Sequence, residues 1–150
     1  MEQKRKILPP VWLLLSLVLA SALHYLMPIV RLVSPPWSYV GAVLIVVGIL
    51  MSAVGARSFR KAGTPVVPFE QSTALVDGGL YRFTRNPMYL GLTICLLGAG
   101  VLFGTLGALL PVPLFVWLIQ SHFIVGEERF LEDIFGEQYL AYKRRVRRWL

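Results

Sequence analysis

The chain is poor in charge and nearly devoid of cysteine. Only 15% of its 150 residues are charged, 56% are hydrophobic, and the mean hydropathy is +0.65. So little charge excludes an ordinary soluble domain. The single cysteine, Cys95, excludes an internal disulfide, and its apolar surroundings favour a buried packing role. The two histidines, His24 and His122, lie far apart without a cysteine partner, so the sequence shows no metal-ligand spacing and predicts no metal.

Two stretches in the first half of the chain carry no charge. Residues 10–30 and 37–56 each have about the twenty residues that cross the hydrocarbon core of a bilayer. The first stretch could be a signal peptide, because basic residues 4–6 precede it. Its length and the lack of a small-residue cleavage site favour a retained anchor instead.

A third stretch, residues 87–126, contains no Asp, Glu, Lys or Arg but is too long for one span. Glycines crowd its middle, and a turn near 103–107 divides it into spans 87–103 and 106–126. The sequence therefore predicts an all-α integral membrane protein. A single domain, residues 1–150, would contain four transmembrane helices, the last two forming a helical hairpin.

Basic residues lie almost entirely on one side of these spans. They precede the first span, occur in the loop 57–86 and follow the fourth span, whereas Arg31 alone separates the first two spans. The positive-inside rule then predicts an integral cell-membrane protein with both termini and this loop in the cytoplasm. The net charge of +7 favours contact with anionic lipid over nucleic acid, for which no module is present.

The loop 57–86 is long for so small a protein, and long ordered loops are often functional. Residues 77–79, Asp-Gly-Gly, indicate a turn, and residues 80–83 read as a short amphipathic element at the interface. Asn86 and Pro87 then begin the third span. Asn86 could simply cap this helix, or the free N–H groups of the helix could bind a ligand carboxylate.

Two adjacent carboxylates, Glu127 and Glu128, follow the fourth span. Ionisable groups at the edge of a bilayer are expensive and suggest function, although this pair could merely terminate the span. Residues 127–148 mix apolar and charged side chains and predict an amphipathic cytoplasmic helix lying on the bilayer. Tyr139 and Tyr142 would share one face of it, where interfacial tyrosines usually belong to an aromatic belt.

Together these residues resemble the isoprenylcysteine carboxyl methyltransferase family and its relatives among the phospholipid methyltransferases. The shared pattern reads L-V-x-x-G-x-Y at 75–81, R-N-P-x-Y-x-G at 85–91 and E-E-x-x-L-x-x-x-F-G-x-x-Y-x-x-Y at 127–142. The resemblance covers residues 73–146. Asn86 replaces the family's histidine, and the arginine that eukaryotic members carry just before the glutamate pair is missing.

The resemblance implies a methyltransferase that uses S-adenosylmethionine and acts on a lipophilic acceptor entering from the bilayer at the cytoplasmic face. The cofactor would lie between the loop, the R-N-P turn and the C-terminal helix. The implied catalytic residues are Glu127, Glu128 and Arg85. The implied cofactor-binding residues are Thr73, Ala74, Leu75, Val76, Tyr81, Asn86, Pro87, Met88, Tyr89, Glu127 and Tyr139.

Two other classes remain open. The carboxyl-terminal halves of sterol reductases carry a similar pattern and bind a nicotinamide cofactor, although this chain is short and shows no basic pocket for a 2′-phosphate. The other class is a membrane protein that keeps the scaffold without catalysis. Stabilisation by S-adenosylmethionine, by NADPH or by neither would separate the three classes. The oligomeric state does not follow from the sequence.

Overall fold

A computed structural model of the protein describes residues 8–66 and 72–150. Its architecture is helical, as the composition predicts. The helices, in chain order, are α1 (Pro9–Leu26), α2 (Val40–Lys61), α3 (Pro87–Phe103), α4 (Leu106–Phe135) and α5 (Glu137–Arg145). Short 3-10 turns lie at Trp37–Tyr39 and Gly79–Arg82, and one π-helical turn, Gln120–Ile124, lies within α4.

Three of these helices are long and apolar enough to cross a membrane. They are α1, α2 together with its preceding turn (Trp37–Lys61), and α4. Helix α3 is also apolar but has 17 residues. Such a helix is about 25 Å long, short of the ~30 Å hydrocarbon core. The membrane-helix architecture is therefore supported, whereas the count of four spans stays a prediction.

Helices α2 and α3 pack backbone against backbone. A Cβ atom added at Gly48 would clash with the carbonyl oxygen of Gly91, and one added at Gly41 would clash with that of Gly98. In lipid, small residues let helices approach closely enough for such packing to hold them together. Cys95 lies buried at the same interface, in the packing role that its surroundings predict. This interface fixes the position of α3 against α2.

The predicted hairpin turn lies between α3 and α4. Gly104 ends α3 with a φ of 76°, in the left-handed region that glycine adopts at little cost. Its carbonyl oxygen accepts the N–H groups of Leu32 and Val33 at 2.8 and 3.1 Å. The segment that follows α1 therefore holds the tip of the hairpin.

The stretch 127–148, predicted as one separate helix, is divided. Helix α4 continues without a break through Glu127 and Glu128, because glutamate is compatible with a helix interior. The break comes at Gly136, whose φ of 50° and ψ of −126° separate α4 from α5. After α5 the chain is extended at Val146. The glutamate pair thus belongs to the same helix as the fourth apolar stretch.

Candidate active site

A cleft lies where the loop after α2, the start of α3, the end of α4 and α5 meet. It encloses about 60 Å³. The lining residues are Phe59, Ser72, Ala74, Leu75, Val76, Tyr81, Arg85, Asn86, Met88, Tyr89, Glu127, Glu128, Leu131, Tyr139 and Tyr142. All of the predicted site residues except two are in this set.

The two exceptions are Thr73 and Pro87, which support the walls of the cleft. Thr73 is exposed; its backbone N–H donates to Thr64 Oγ1 and its hydroxyl donates to the carbonyl of Gly63, both at 3.1 Å. Pro87 is fully buried in the first turn of α3. Thr73 therefore fastens the loop to the end of α2, and Pro87 packs beneath the site.

Four lining residues were absent from the predicted set: Phe59, Ser72, Leu131 and Tyr142. Leu131 and Tyr142 stand at fixed positions of the 127–142 pattern, so the motif itself could have indicated them. Phe59 lies in the last turns of α2, and only the fold brings its ring to 5.4 Å from that of Tyr81. Nothing in the local sequence distinguishes it.

Glu128 is buried and receives two guanidinium groups. Arg85 Nη2 donates to its Oε1 at 2.8 Å. Arg148 donates through Nε to Oε1 at 2.9 Å and through Nη2 to Oε2 at 2.7 Å. Only 7% of the Glu128 side chain is exposed. A buried carboxylate is tolerated when its oxygens are paired in this way, so Glu128 joins α4 to the chain on both sides of the cleft.

The segment after α5 completes this network through its backbone. Arg85 donates from Nη1 to the carbonyl of Val146 and from its backbone N–H to that of Arg147, both at 2.9 Å. Asn86 Nδ2 donates to the carbonyl of Arg148 at 3.0 Å and makes no capping bond to α3. The side-chain cap considered for Asn86 is therefore not formed. The R-N-P turn is fastened to the C-terminal segment instead.

Glu127 has a different partner. Tyr89 Oη donates to Glu127 Oε1 at 2.7 Å, and both residues line the cleft. Successive positions on a helix point about 100° apart, so two adjacent glutamates serve different neighbours. Glu128 binds arginines, whereas Glu127 presents its carboxylate toward the first turn of α3.

Three tyrosines form an aromatic wall. Tyr139 and Tyr142 are 2% and 3% exposed, so the expectation of an interfacial belt is wrong for both. Tyr142 Oη donates to the carbonyl of Tyr81 at 2.7 Å. Burial raises the pKa of all three phenols, which keeps them protonated hydrogen-bond donors at neutral pH.

Two buried polar atoms at the cleft lack a hydrogen-bond partner within the described part of the chain. They are Tyr81 Oη and Arg85 Nε. Buried polar groups are nearly always paired, so unpaired ones call for a ligand or a water molecule. Both atoms belong to cleft residues, and they offer donors to a polar or anionic ligand.

An apolar cavity of about 280 Å³ lies beside the cleft. Its described lining residues are Leu8, Pro9, Pro10, Ser52, Ala56, Val66, Met88, Tyr89 and Leu92. None of these is charged. Met88 and Tyr89 line both spaces and form the wall between them. A polar site and an apolar site thus meet at the first turn of α3.

Comparison with known proteins identifies the family. A family model described as phospholipid methyltransferase matches residues 37–138. Protein-S-isoprenylcysteine O-methyltransferase A of Arabidopsis thaliana is 30% identical over 135 residues, covering 86% of this chain and 68% of that protein. A probable protein-S-isoprenylcysteine O-methyltransferase of Oryza sativa subsp. indica is 30% identical over 111 residues. This chain spans 58% of the length of the rice protein.

A more distant relative and a solved structure agree. Methanethiol S-methyltransferase 1 of Bradyrhizobium diazoefficiens is 41% identical over 70 residues, 45% of this chain and 22% of that protein. The eukaryotic intramembrane Ras methyltransferase ICMT (isoprenylcysteine carboxyl methyltransferase) superposes with a TM-score of 0.71 at 20% identity, covering 100% of this chain and 53% of that one. The fold is therefore shared, and the resemblance seen in the motifs is confirmed. The chain is an integral membrane protein that belongs to the phospholipid methyltransferase family.

Proposed function

We propose that the protein is an S-adenosylmethionine-dependent methyltransferase that acts on a lipophilic acceptor at the cytoplasmic face of the membrane. The observation that carries this proposal is the wall formed by Met88 and Tyr89, with a polar cleft on one side and an apolar cavity on the other. Methyl transfer requires donor and acceptor to be held in line at short distance. Two chemically distinct spaces that share one wall suit such a pair.

The cleft residues fit the cofactor chemically. The unpaired donors Arg85 Nε and Tyr81 Oη suit a carboxylate, and the Glu127 carboxylate suits an ammonium group or ribose hydroxyls. Aromatic rings and the loop residues 74–76 supply apolar walls. When bound, S-adenosylmethionine supplies an electrophilic methyl group. Ligand pockets usually hold roughly 300–1,000 Å³, so binding requires the wall at 74–76 to move outward.

The three residues implied as catalytic take different proposed roles. Glu127 would contact ligand directly, because its carboxylate faces the cleft beside Tyr89. Arg85 and Glu128 would act mainly as positioning residues, because Arg85 Nη1 and Nη2 and both Glu128 oxygens are used within the protein. Arg85 keeps one N–H, at Nε, for a ligand.

The names of the relatives support a methyltransferase without deciding the acceptor. They include an isoprenylcysteine O-methyltransferase and a methanethiol S-methyltransferase. This chain spans only part of each of these proteins, so neither acceptor transfers directly. The apolar cavity favours an acceptor that is lipophilic or small and hydrophobic.

The orientation is also part of the proposal. Four spans with both termini in the cytoplasm would bring the cleft to the cytoplasmic face, where the basic residues would meet anionic lipid. A topology reporter that is active only in the cytoplasm should work when fused before residue 1 or after Leu150. Activity of a far-side reporter at both positions would overturn the orientation.

The cofactor is tested by calorimetry on the detergent-purified protein. S-adenosylhomocysteine, the demethylated product, should bind, and NADPH should not. Tyr89→Ala should weaken the binding, whereas Tyr25→Ala, at an exposed residue on α1, should not. Binding of NADPH alone would favour a reductase, and binding of neither compound at millimolar concentration would favour a non-catalytic scaffold.

A further inference from the structure

We propose that the reacting group of the acceptor enters as an uncharged thiol or hydroxyl and not as a carboxylate. This inference rests on the proposed function and specifies its acceptor. Its basis is the charge around the apolar cavity of about 280 Å³, whose described lining contains no basic side chain. An ion of either sign transferred from water into such a space loses hydration without gaining a partner.

The polar atoms of the cavity lining are already engaged. Ser52 Oγ donates to the carbonyl of Met88 at 3.0 Å. Tyr89 Oη donates to Glu127 Oε1 at 2.7 Å. The polar feature at the wall is therefore a phenol backed by a carboxylate. A carboxylate acceptor would approach a group of the same charge, which is unfavourable in a medium of low dielectric constant.

The nearest guanidinium group does not supply the missing counter-charge. Arg85 lines the cleft and is not part of the described cavity lining. Its Nη2 donates to Glu128 and its Nη1 donates to the carbonyls of Lys143 and Val146. The remaining N–H, at Nε, belongs to the cofactor side of the wall. A carboxylate held in the cavity would thus lack a cation within the described residues.

The same wall suits a neutral X–H acceptor. Its hydrogen can be donated to the Tyr89 oxygen, which keeps a lone pair while its own proton goes to Glu127. During transfer the X–H bond breaks, and its electron pair forms the new bond to the methyl group. The electrons of the former methyl–sulfur bond stay on the sulfur of the donor. The proton passes through the Tyr89 hydroxyl to the Glu127 carboxylate.

Two probes of equal chain length test the inference. Dodecanethiol and dodecanoate are titrated into detergent-purified protein loaded with S-adenosylhomocysteine at pH 8, and their affinities are measured by calorimetry. We expect dodecanethiol to bind at least about tenfold more tightly, because only dodecanoate buries an unpaired charge. Equal or tighter binding of dodecanoate would overturn the inference.

A charge-neutralising variant provides a second arm. Glu127→Gln should raise the affinity for dodecanoate several-fold and leave that for dodecanethiol within about twofold, since only the like-charge repulsion is removed. Glu132→Gln, whose side chain pairs with Lys143 at the surface, should change neither affinity. A Glu127→Gln protein that binds dodecanoate no better than the unmodified protein would contradict the inference.

Failure of the acceptor inference can be told apart from failure of the proposed function. Binding of S-adenosylhomocysteine is measured first on each preparation. A folded protein that does not bind it contradicts the proposed function itself. A protein that binds it and then prefers dodecanoate contradicts the acceptor class alone.

Discussion

The interface between α2 and α3 and the network around Glu128 both hold the first turn of α3, but by opposite means. At the interface, glycine backbones meet without any charged group, and the contact depends on the absence of side chains. At the network, one buried carboxylate holds two arginines and, through them, the C-terminal segment. Packing of small residues suits a lipid environment, whereas paired charges are affordable only near water.

The comparison shows where stability and ligand binding separate. The interface and Glu128 set where Met88 and Tyr89 stand, yet neither glycine stripe nor Glu128 has a side-chain atom to spare for a ligand. Glu127, one residue away, lies on the cleft and contacts Tyr89. Substitutions in the two supporting regions should therefore mainly change stability, and substitutions at Glu127 should mainly change binding.

The largest effect is expected from breaking the interface. Gly48→Leu places a branched side chain against the backbone of α3 at Gly91 and Cys95, which cannot yield as a side chain would. Ordinary overpacking costs about 1–3 kcal/mol, and a backbone clash should cost about 4 kcal/mol or more. Thermal unfolding in detergent would measure it. Val47→Leu, at the exposed neighbouring position, should leave the unfolding temperature nearly unchanged.

Breaking the charged network should cost somewhat less. Glu128→Gln keeps the shape of the side chain but leaves Arg85 and Arg148 without their negative partner. Removing one member of a buried ion pair costs about 3–5 kcal/mol. The lower value is expected here, because Arg148 is one-third exposed.

The matched control for Glu128 is Glu132→Gln. Glu132 pairs with Lys143, and both side chains are about one-third exposed, so this change should cost no more than about 1 kcal/mol. Equal destabilisation by the two substitutions would mean that burial of the Glu128 network contributes nothing to folding.

Changing the neighbouring glutamate should move binding instead. Glu127→Gln removes the negative charge that faces the cleft, and losing one charge-assisted hydrogen bond costs roughly 1.5–3 kcal/mol, about 10- to 150-fold in affinity. Calorimetry with S-adenosylhomocysteine would measure it, with Glu132→Gln as control. Affinity equal to that of the unmodified protein would remove Glu127 from the cofactor site and leave it a role toward the acceptor or in structure.

Sequence patterns predicted the helices well, because a charge-free run and a glycine-rich turn are local features. The turn at Gly104 is an example. The division of 127–148 was missed because the charged residues suggested one helix, although Gly136 stood inside it. Helix α4 continues past Glu128, since acidic side chains do not end a helix.

The partners of the glutamates could not be read from spacing. Arg148 lies in a basic run that indicated topology only, and its contact with Glu128 arises because α5 folds back across the cleft. Likewise, the apolar cavity draws its walls from α1, α2, α3 and Val66 of the loop, so no single motif announces it. Both features depend on tertiary packing of segments that are distant along the chain.

The smallest expected effect concerns the aromatic wall between the two supporting regions. Tyr142→Phe keeps the ring that packs beside Tyr139 but removes the hydroxyl that donates to the carbonyl of Tyr81. A buried hydrogen bond of this kind contributes about 1 kcal/mol to the free energy of unfolding. The phenol stays protonated because burial raises its pKa, so the loss should be the same at pH 7 and pH 9. Tyr25→Phe, at an exposed tyrosine, should cost nothing measurable. Binding of S-adenosylhomocysteine to Tyr142→Phe should fall less than tenfold, because the hydroxyl is used within the protein; a larger loss would move Tyr142 from the wall of the site to direct contact with the ligand.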